Sequence, residues 1–516
     1  MLGHRILLLN PPLVNGVAFT RQGRCQERED VLGTTKPPYT LAVLAALLRQ
    51  QGRDFRLVDL TAERRSADDL IASLHQDGFT PTLIVFASST PTYDADVREV
   101  TRLKAAYGAP IVSFGPHAST APRESLERAP GVDAILVGEP EDGVLALAEL
   151  DAITAGDAVP GLSFRRNGHI VPHQSRGTFE GFAAMPRPAW DLLPLDRYRL
   201  PMRNSRYLIV ETSRGCPYSC DFCVAPVYQG HKFRERDAKT LVDEIQEGQR
   251  RFGIDDFYLW GDTVTLNAKS FSLFCEELIA RNLNVRWFGN GRADNLTNPE
   301  FVKKLRQSGC WMLSLGIESE SDDTRRDMMK KLERQKIIAA IGNMREAGIA
   351  SFAFFIFGYP GDTPESIART TAYAREIDPD FANFYPAVPY PGMPMYDRCK
   401  AEGMLTSEDW SKMEYSFYVL RGNGLDEAFI MNAIRTATRQ FYLRPGWMLR
   451  HGLDILRLVT SSGSIVMRAA ARLLSGGRGS GASAETVPTQ APVAQTGGRR
   501  IPVIPDPGPD RTSPRD

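Results

Sequence analysis

The chain has 516 residues, 42% of them hydrophobic, and 62 basic side chains balance 62 acidic ones, giving zero formal net charge. Its length calls for about three domains rather than one, and its apolar share is enough for sizeable cores. Neutrality removes any global case for nucleic-acid binding, and no run of about 20 apolar residues is present to span a membrane.

The opening, MLGHRILLLNPP, carries a four-residue apolar run that reads as a buried strand rather than a signal-peptide core. Four further strand candidates follow: Phe55 to Asp59, Leu83 to Ala87, Ile111 to Gly115 and Ala134 to Gly138. Helical patterns separate them, such as Tyr39 to Gly52, which a glycine closes. Continuous apolar strands alternating with helices predict a doubly wound, Rossmann-like α/β domain over residues 1–150. Such sheets bind ligands beyond the C-terminal ends of their strands. Small and polar residues gather at those ends: Asn10 and Pro11, Ser88, Ser89 and Thr90, Gly115 and His117, Gly138 and Glu139. Tight turns use the same residue types, but four ends of one character favour a bound ligand.

Residues 151–205 carry prolines at 186, 188, 194 and 201 and read as an irregular connector. A second alternating series fills 206–404. Its strand candidates are Tyr207 to Glu211, Asp256 to Gly261, Val285 to Asn290, Met312 to Glu318, Phe352 to Phe357 and Phe381 to Tyr385. Six strand–helix units predict a full or partial barrel with its site at the C-terminal strand ends. Within it, His231, Lys232, Arg234 and Arg236 read as a solvated charge run, with a substrate-orienting basic rim as the alternative. The stretch YPAVPYPGMPMY, from Tyr385, reads as one wall of the barrel mouth or as a rigid turn.

Residues 405–474 read as helical and basic. The part from Arg439 onward is amphipathic, so it either packs on the barrel or makes peripheral membrane contact over 439–474. Residues 475–516 are low in complexity and read as a disordered tail.

Three of the seven cysteines, Cys216, Cys220 and Cys223, stand at C-x3-C-x2-C directly after the first barrel strand. A structural zinc site wants four protein ligands, and a redox C-x2-C pair leaves Cys216 unexplained. A 4Fe–4S cluster on three thiolates accounts for all three and leaves one iron open. The scattered Cys25, Cys275, Cys310 and Cys399 fit no disulfide framework and suit a reducing, cytoplasmic setting.

The stretch CPYSCDFC resembles the signature of the radical S-adenosylmethionine (AdoMet) enzymes, with Phe222 as its aromatic residue. The resemblance implies that the three cysteines ligate the cluster and that AdoMet chelates the fourth iron. Reductive cleavage of AdoMet would then give a 5′-deoxyadenosyl radical that abstracts hydrogen. The stretch WGDTVT would place Asp262 near the AdoMet amino group, although the family's usual acid there is Glu. The stretch LGIESES would place Glu318 and Ser319 near the ribose or carboxylate. The stretch FFIFGYPGDT, with Gly358, would run along the adenine.

The upstream α/β domain, with GPHAST and VDAILVGEPE, is similar to that of the cobalamin-binding subfamily, so the strand-end residues from Asn10 to Glu139 would contact cobalamin. The D-x-H-x-x-G signature is missing, because Asp59 is followed by Leu60 and Thr61. The resemblance implies methylation of an unactivated carbon of a small or lipid-like substrate, with an electron donor such as flavodoxin or ferredoxin. Radical cyclisation, oxidation or rearrangement is the alternative on this scaffold. An iron–sulfur electron carrier or sensor is the alternative of another class.

Overall fold

The computed structural model describes residues 4–23, 26, 28, 35–200 and 203–452. Five parallel strands build the first sheet: β1 (Ile6–Asn10), β2 (Phe55–Asp59), β3 (Leu83–Ala87), β4 (Ile111–Phe114) and β5 (Ala134–Leu136), in the order β2-β1-β3-β4-β5. The central strands β1, β3 and β4 are buried on both faces, so they need no polar alternation. This is the doubly wound order whose switch point lies between β1 and β3.

The sheet does not stop at residue 150. Two further strands, β6 (Leu162–Arg166) and β7 (His169–Val171), extend it antiparallel beyond β5. The connector expected over 151–205 is therefore irregular only in its later part. Its hairpin turns through Asn167 and Gly168, at φ of 51° and 80°, the left-handed pair that matches strand twist.

The second sheet is all parallel and six-stranded: β8 (Tyr207–Glu211), β11 (Asp256–Trp260), β12 (Arg286–Gly291), β13 (Cys310–Glu318), β14 (Ala350–Phe357) and β15 (Phe381–Pro386), in that spatial order. Helices over 238–252, 268–280, 299–307, 334–347 and 364–377 cover its outer face. The result is an open, six-stranded barrel. Between β8 and β11, a small antiparallel pair joins β9 (Ser213–Arg214) to β10 (Arg234–Glu235).

The segment from 405 is not helical throughout. Leu405 bridges Leu420 and a single 3-10 turn covers Trp410–Lys412, before one long helix, Glu427–Tyr442, packs on β15. Trp447 anchors the next turn through its indole nitrogen, which donates to the Asp380 carbonyl at 2.7 Å. Residues 453–474, the tail 475–516 and Cys25 lie outside the described residues.

Candidate active site

The cysteine loop is pinned at its base. A Cβ on Gly215, at φ 85°, would run into the Lys232 carbonyl, and the Cys216 amide donates to the Gly230 carbonyl at 3.0 Å. The Cys223 amide donates to the Cys220 carbonyl at 3.1 Å, turning those two residues together. Phe222 packs on the barrel core.

The loop is also docked on the strand ends. Arg292, just past β12, lies 3.9 Å over the Tyr218 ring. The Asp221 carboxylate accepts from the Tyr359 hydroxyl at 2.7 Å, and Arg398 adds a contact at 3.4 Å. Burial raises the Asp221 pKa, while those two partners oppose the shift. Among the described residues, no three His, Cys, Asp or Glu side chains converge on a point for a single ion. A cubane needs a wider arrangement, because each thiolate takes a different iron. The pinned, glycine-turned loop carries one buried and two half-buried cysteines, the three thiols that such a cluster takes.

Glu318 closes β13 at φ 68°, a left-handed backbone rare outside glycine, and the register slips between Gly316 and Glu318. The slip turns the carboxylate onto Lys330, its ion-pair partner. Gly316 leaves the room for that pair, since a Cβ there would strike both side chains. The Ser319 carbonyl accepts from the fully buried Arg325. Asp262 is buried in the turn after β11. At Gly358, φ 77°, the carbonyl accepts from the Tyr418 hydroxyl at 3.0 Å and the amide donates to Asp362. Strand-end geometry thus brings Cys216, Cys220, Cys223, Phe222, Asp262, Glu318, Ser319 and Gly358 to one barrel rim.

In the first domain, a small pocket opens at the ends of β1, β3 and β4, lined in part by Asn10, Arg21, Gln22, Thr40 and Phe114. Gly115 has φ 123°, and a Cβ there would stand 2.5 Å from the Ser88 carbonyl. Gly138 is as tight, against Gly177 and Arg176. Gln26, wholly buried, accepts from the Thr90 amide, yet its side-chain nitrogen meets no hydrogen-bond acceptor. Both glycines let the chain's own backbone pack closely at the strand ends, and the orphaned Gln26 donor suits a ligand rich in hydrogen-bond acceptors, as a corrin with its amide side chains is.

Not every strand-end residue points to that ligand. Both His117 nitrogens are taken, by Thr90 at 3.1 Å and Ser125 at 3.1 Å, and the ring lies between Tyr93 and Trp410. Burial lowers its pKa to about 3, so it is neutral. Ser88 pairs with Ser113 at 2.9 Å and Ser89 with Thr92 at 2.9 Å. Asn10 donates to Asp59 at 2.8 Å, and the Pro11 carbonyl accepts from Thr61 at 2.6 Å. Asp59 also accepts from the Tyr198 hydroxyl at 2.8 Å.

Glu139 faces the barrel. It pairs with Arg214 at 3.2 Å and with Arg234, while Arg214 also meets Glu141 at 2.7 Å and Glu211 at 2.9 Å. Arg236 is buried against Glu244 at 2.7 Å. The run expected to be solvated is therefore half structural, because two of its arginines turn inward; His231 and Lys232 are exposed. Sequence reasoning passed over Arg214, Asp221, Arg292, Lys330 and Tyr359. Arg214 and Asp221, beside and inside the cysteine motif, and Tyr359, next to Gly358, carry a signal in the sequence; Arg292 and Lys330 carry none.

The two domains close on one another at this rim. The short helix Pro116–Thr120, after β4, packs on the helix Ala225–Gln229, which starts two residues past Cys223. The Met395 amide donates to the Asp221 carbonyl at 3.1 Å, and Gly392 touches the Thr120 backbone.

Two family models match the chain: the radical SAM superfamily over residues 210–374 and the B12 binding domain over 30–148. The chain is a radical SAM enzyme with a B12-binding domain. Its cofactors are a 4Fe–4S cluster, AdoMet and cobalamin. It is 28% identical over 465 residues to an uncharacterized methyltransferase of Pyrococcus horikoshii, covering 88% of this chain and 97% of that one. It is also 28% identical to the anaerobic magnesium-protoporphyrin IX monomethyl ester cyclase of Cereibacter sphaeroides, over 79% of this chain and 67% of that one. The fold matches the radical AdoMet methyltransferase TsrM of Kitasatospora setae at a TM-score of 0.60 and 22% identity, over 78% and 76% of the two chains. Cys275, Cys310 and Cys399 are buried, and burial raises each thiol's pKa, to about 12 for Cys275 and about 11 for Cys399. They serve packing. No helix among the described residues is long and apolar enough to cross a membrane.

Proposed function

We propose that this enzyme methylates an unactivated carbon of a small molecule, taking both the methyl group and the oxidising equivalent from AdoMet. One observation carries the reading. The strand ends of the B12-binding domain and the cysteine loop of the barrel close on one rim, joined by Arg214 and Arg234 to Glu139. When bound, the cluster supplies the electron that cleaves AdoMet, and the corrin supplies a carrier for a methyl group. An unactivated carbon is no nucleophile, so polar attack on a sulfonium methyl is closed to it.

The chain's own residues hold and orient. Cys216, Cys220 and Cys223 would hold the cluster, with Asp221, Tyr359 and Arg398 fixing their loop. Glu318, Ser319, Asp262, Phe222 and Gly358 would line AdoMet. Gly115, Gly138, Thr90 and Gln26 would meet the corrin. The name of the P. horikoshii relative supports methyl transfer. The name of the C. sphaeroides relative supports ring formation as the alternative in the same chamber. A flavodoxin- or ferredoxin-type donor would supply electrons. The exposed Leu443, Met448 and Leu449 support peripheral membrane contact through the segment that starts at 439.

The test is anaerobic reconstitution with iron, sulfide and hydroxocobalamin, followed by turnover with deuteromethyl-AdoMet, a chemical reductant and candidate acceptors. Methyl transfer gives S-adenosylhomocysteine and 5′-deoxyadenosine in equal amounts and moves the label into product. 5′-Deoxyadenosine without S-adenosylhomocysteine would replace methylation by cyclisation. Neither product would overturn the reading.

A further inference from the structure

The last described turn of the chain is held firmly at one end of the barrel. Asp378 takes three guanidiniums, from Arg345 at 3.6 Å, Arg444 at 3.0 Å and Arg450 at 2.7 Å. Arg444 also donates to the Phe441 and Arg375 carbonyls at 2.8 Å and 3.0 Å. The buried Trp447 ring meets Tyr442 edge-on, with centroids 4.8 Å apart. With Arg444 and Trp447 pinned inward, their neighbours face out: Leu443 is 49% exposed, Met448 50% and Leu449 86%. One exposed leucine needs no reason, but three large apolar side chains held out along one short, anchored stretch do.

Positive charge surrounds them. From Ala428 to Leu453 the sequence has four arginines and no Asp or Glu. Arg439 and Arg450 are exposed there, and Arg345 and Arg375 are exposed at the ends of the helices over 334–347 and 364–377. The exposed acids beside them are Glu346 and Glu376, and Glu376 is held by Arg334 at 2.7 Å. Helix dipoles favour a basic residue at each helix end, which accounts for Arg345 and Arg375 but not for Arg450 or the apolar trio. Apolar side chains ringed by arginine are the pattern of a segment lying in a membrane interface.

Charge disfavours the other covers. A second copy of this face would set guanidinium against guanidinium. The chain's own continuation over 453–475 has Arg457, Arg468 and Arg472 against Asp454 alone, so folding it back would bring like charges together. A nucleic acid would gain nothing from Leu449. The sequence instead carries the pattern on, with Leu453 and Leu456 four and seven residues after Leu449.

The face also has a place relative to the chemistry. Asp378 and Asp380 precede β15, and the six barrel strands are all parallel, so this face lies at the N-terminal end of the sheet. The cysteine loop follows β8, at the C-terminal end. A strand length of roughly 17–20 Å separates the two ends.

We propose that this face docks the enzyme on an anionic lipid surface. Leu443, Met448 and Leu449 enter the acyl boundary, Arg345, Arg375, Arg439 and Arg450 meet lipid phosphates, and the barrel mouth is turned to the aqueous side. The proposal rests on the peripheral contact proposed above and adds the charge of the lipid and the orientation of the enzyme.

The test is co-sedimentation of the full-length reconstituted enzyme with vesicles of equal parts phosphatidylglycerol and phosphatidylcholine. The enzyme should bind these and not vesicles of phosphatidylcholine alone. Leu449→Ser should weaken binding about tenfold, and Arg375→Gln with Arg439→Gln about ten- to thirtyfold. Leu273, 55% exposed on the helix Ala268–Ala280, is the control, and Leu273→Ser should change nothing. Hydrogen exchange in the bound enzyme should slow over 443–452 and stay unchanged over 216–232. No binding, or binding that Leu449→Ser leaves intact, would overturn the lipid assignment; loss with the arginine pair alone would make the face a site for a soluble acidic partner. Equal binding to phosphatidylcholine would keep the peripheral contact and overturn its lipid charge. Slowed exchange over 216–232 would overturn the orientation. Cleavage of AdoMet to 5′-deoxyadenosine is scored in parallel. Cleavage without vesicle binding removes the docking face and keeps the radical reading; vesicle binding without cleavage does the reverse.

Discussion

Arg214 offers the sharpest test of how the domains are joined. Its side chain is 3% exposed, and its three carboxylate partners, Glu139, Glu141 and Glu211, are 2% exposed or less. Arg214→Met keeps the apolar stem and deletes the charge, leaving three buried carboxylates with Arg234 as the cation nearest Glu139. Breaking a buried ion pair from one side costs about 3–5 kcal/mol, since the remaining charge is stranded. The pH dependence follows from Glu211. Burial raises its pKa, and the Arg214 charge opposes the rise. Without Arg214 the folded-state pKa climbs further above its unfolded value. A raised acid costs the fold nothing below its unfolded pKa and destabilises it as pH rises through the folded pKa. The variant should therefore lose more stability at pH 8 than at pH 5. Urea unfolding of both proteins at the two pH values measures it. A loss below about 1 kcal/mol at pH 8, or a larger loss at pH 5, would refute the reasoning.

Replacing Cys216, Cys220 and Cys223 together by alanine should abolish bound iron and 5′-deoxyadenosine formation, as read by metal analysis and chromatography. Gly115→Ala, forced to φ 123° with its Cβ 2.5 Å from the Ser88 carbonyl, should cost about 2–4 kcal/mol and lower retained cobalt after desalting. Gly316→Ala should push Glu318 and Lys330 apart. Iron content should hold while AdoMet affinity, read by equilibrium dialysis, falls about tenfold, the cost of about one charge-assisted hydrogen bond.

The strands of the first sheet were legible because they are buried on both faces and so keep an unbroken apolar run. The cysteine trio was legible because its spacing is set by cluster chemistry and needs no distant partner. The hairpin of β6 and β7 was not, although Arg166-Asn167-Gly168-His169 carries the turn signal, because the prolines at 186, 188, 194 and 201 make the whole of 151–205 read as a connector. Glu139 was read as a ligand contact because it ends a parallel strand. Its partner Arg214 lies 75 residues away, and a pairing set by domain docking leaves no local pattern. His117 shows the opposite case. A polar residue at a strand end looks available, while here two hydroxyls and two rings enclose it.

The barrel strands show a different limit. Phe352, Ala353, Phe354 and Phe355 are apolar in sequence without a break, and such a run cannot say which face is covered. The structure divides them: Ala353 and Phe355 are sealed under helices, and Phe352 and Phe354 stay accessible in the lumen. Both halves of the run read as core in one dimension, yet only one half is core. Half-buried rings forgo part of the roughly 1.5–3 kcal/mol that full burial of each would contribute. A barrel selected only to fold would bury those rings as fully as their neighbours. The accessible half of the run is therefore the part of the strand that stability alone does not explain, and it lies on the side of the sheet that the barrel rim opens onto.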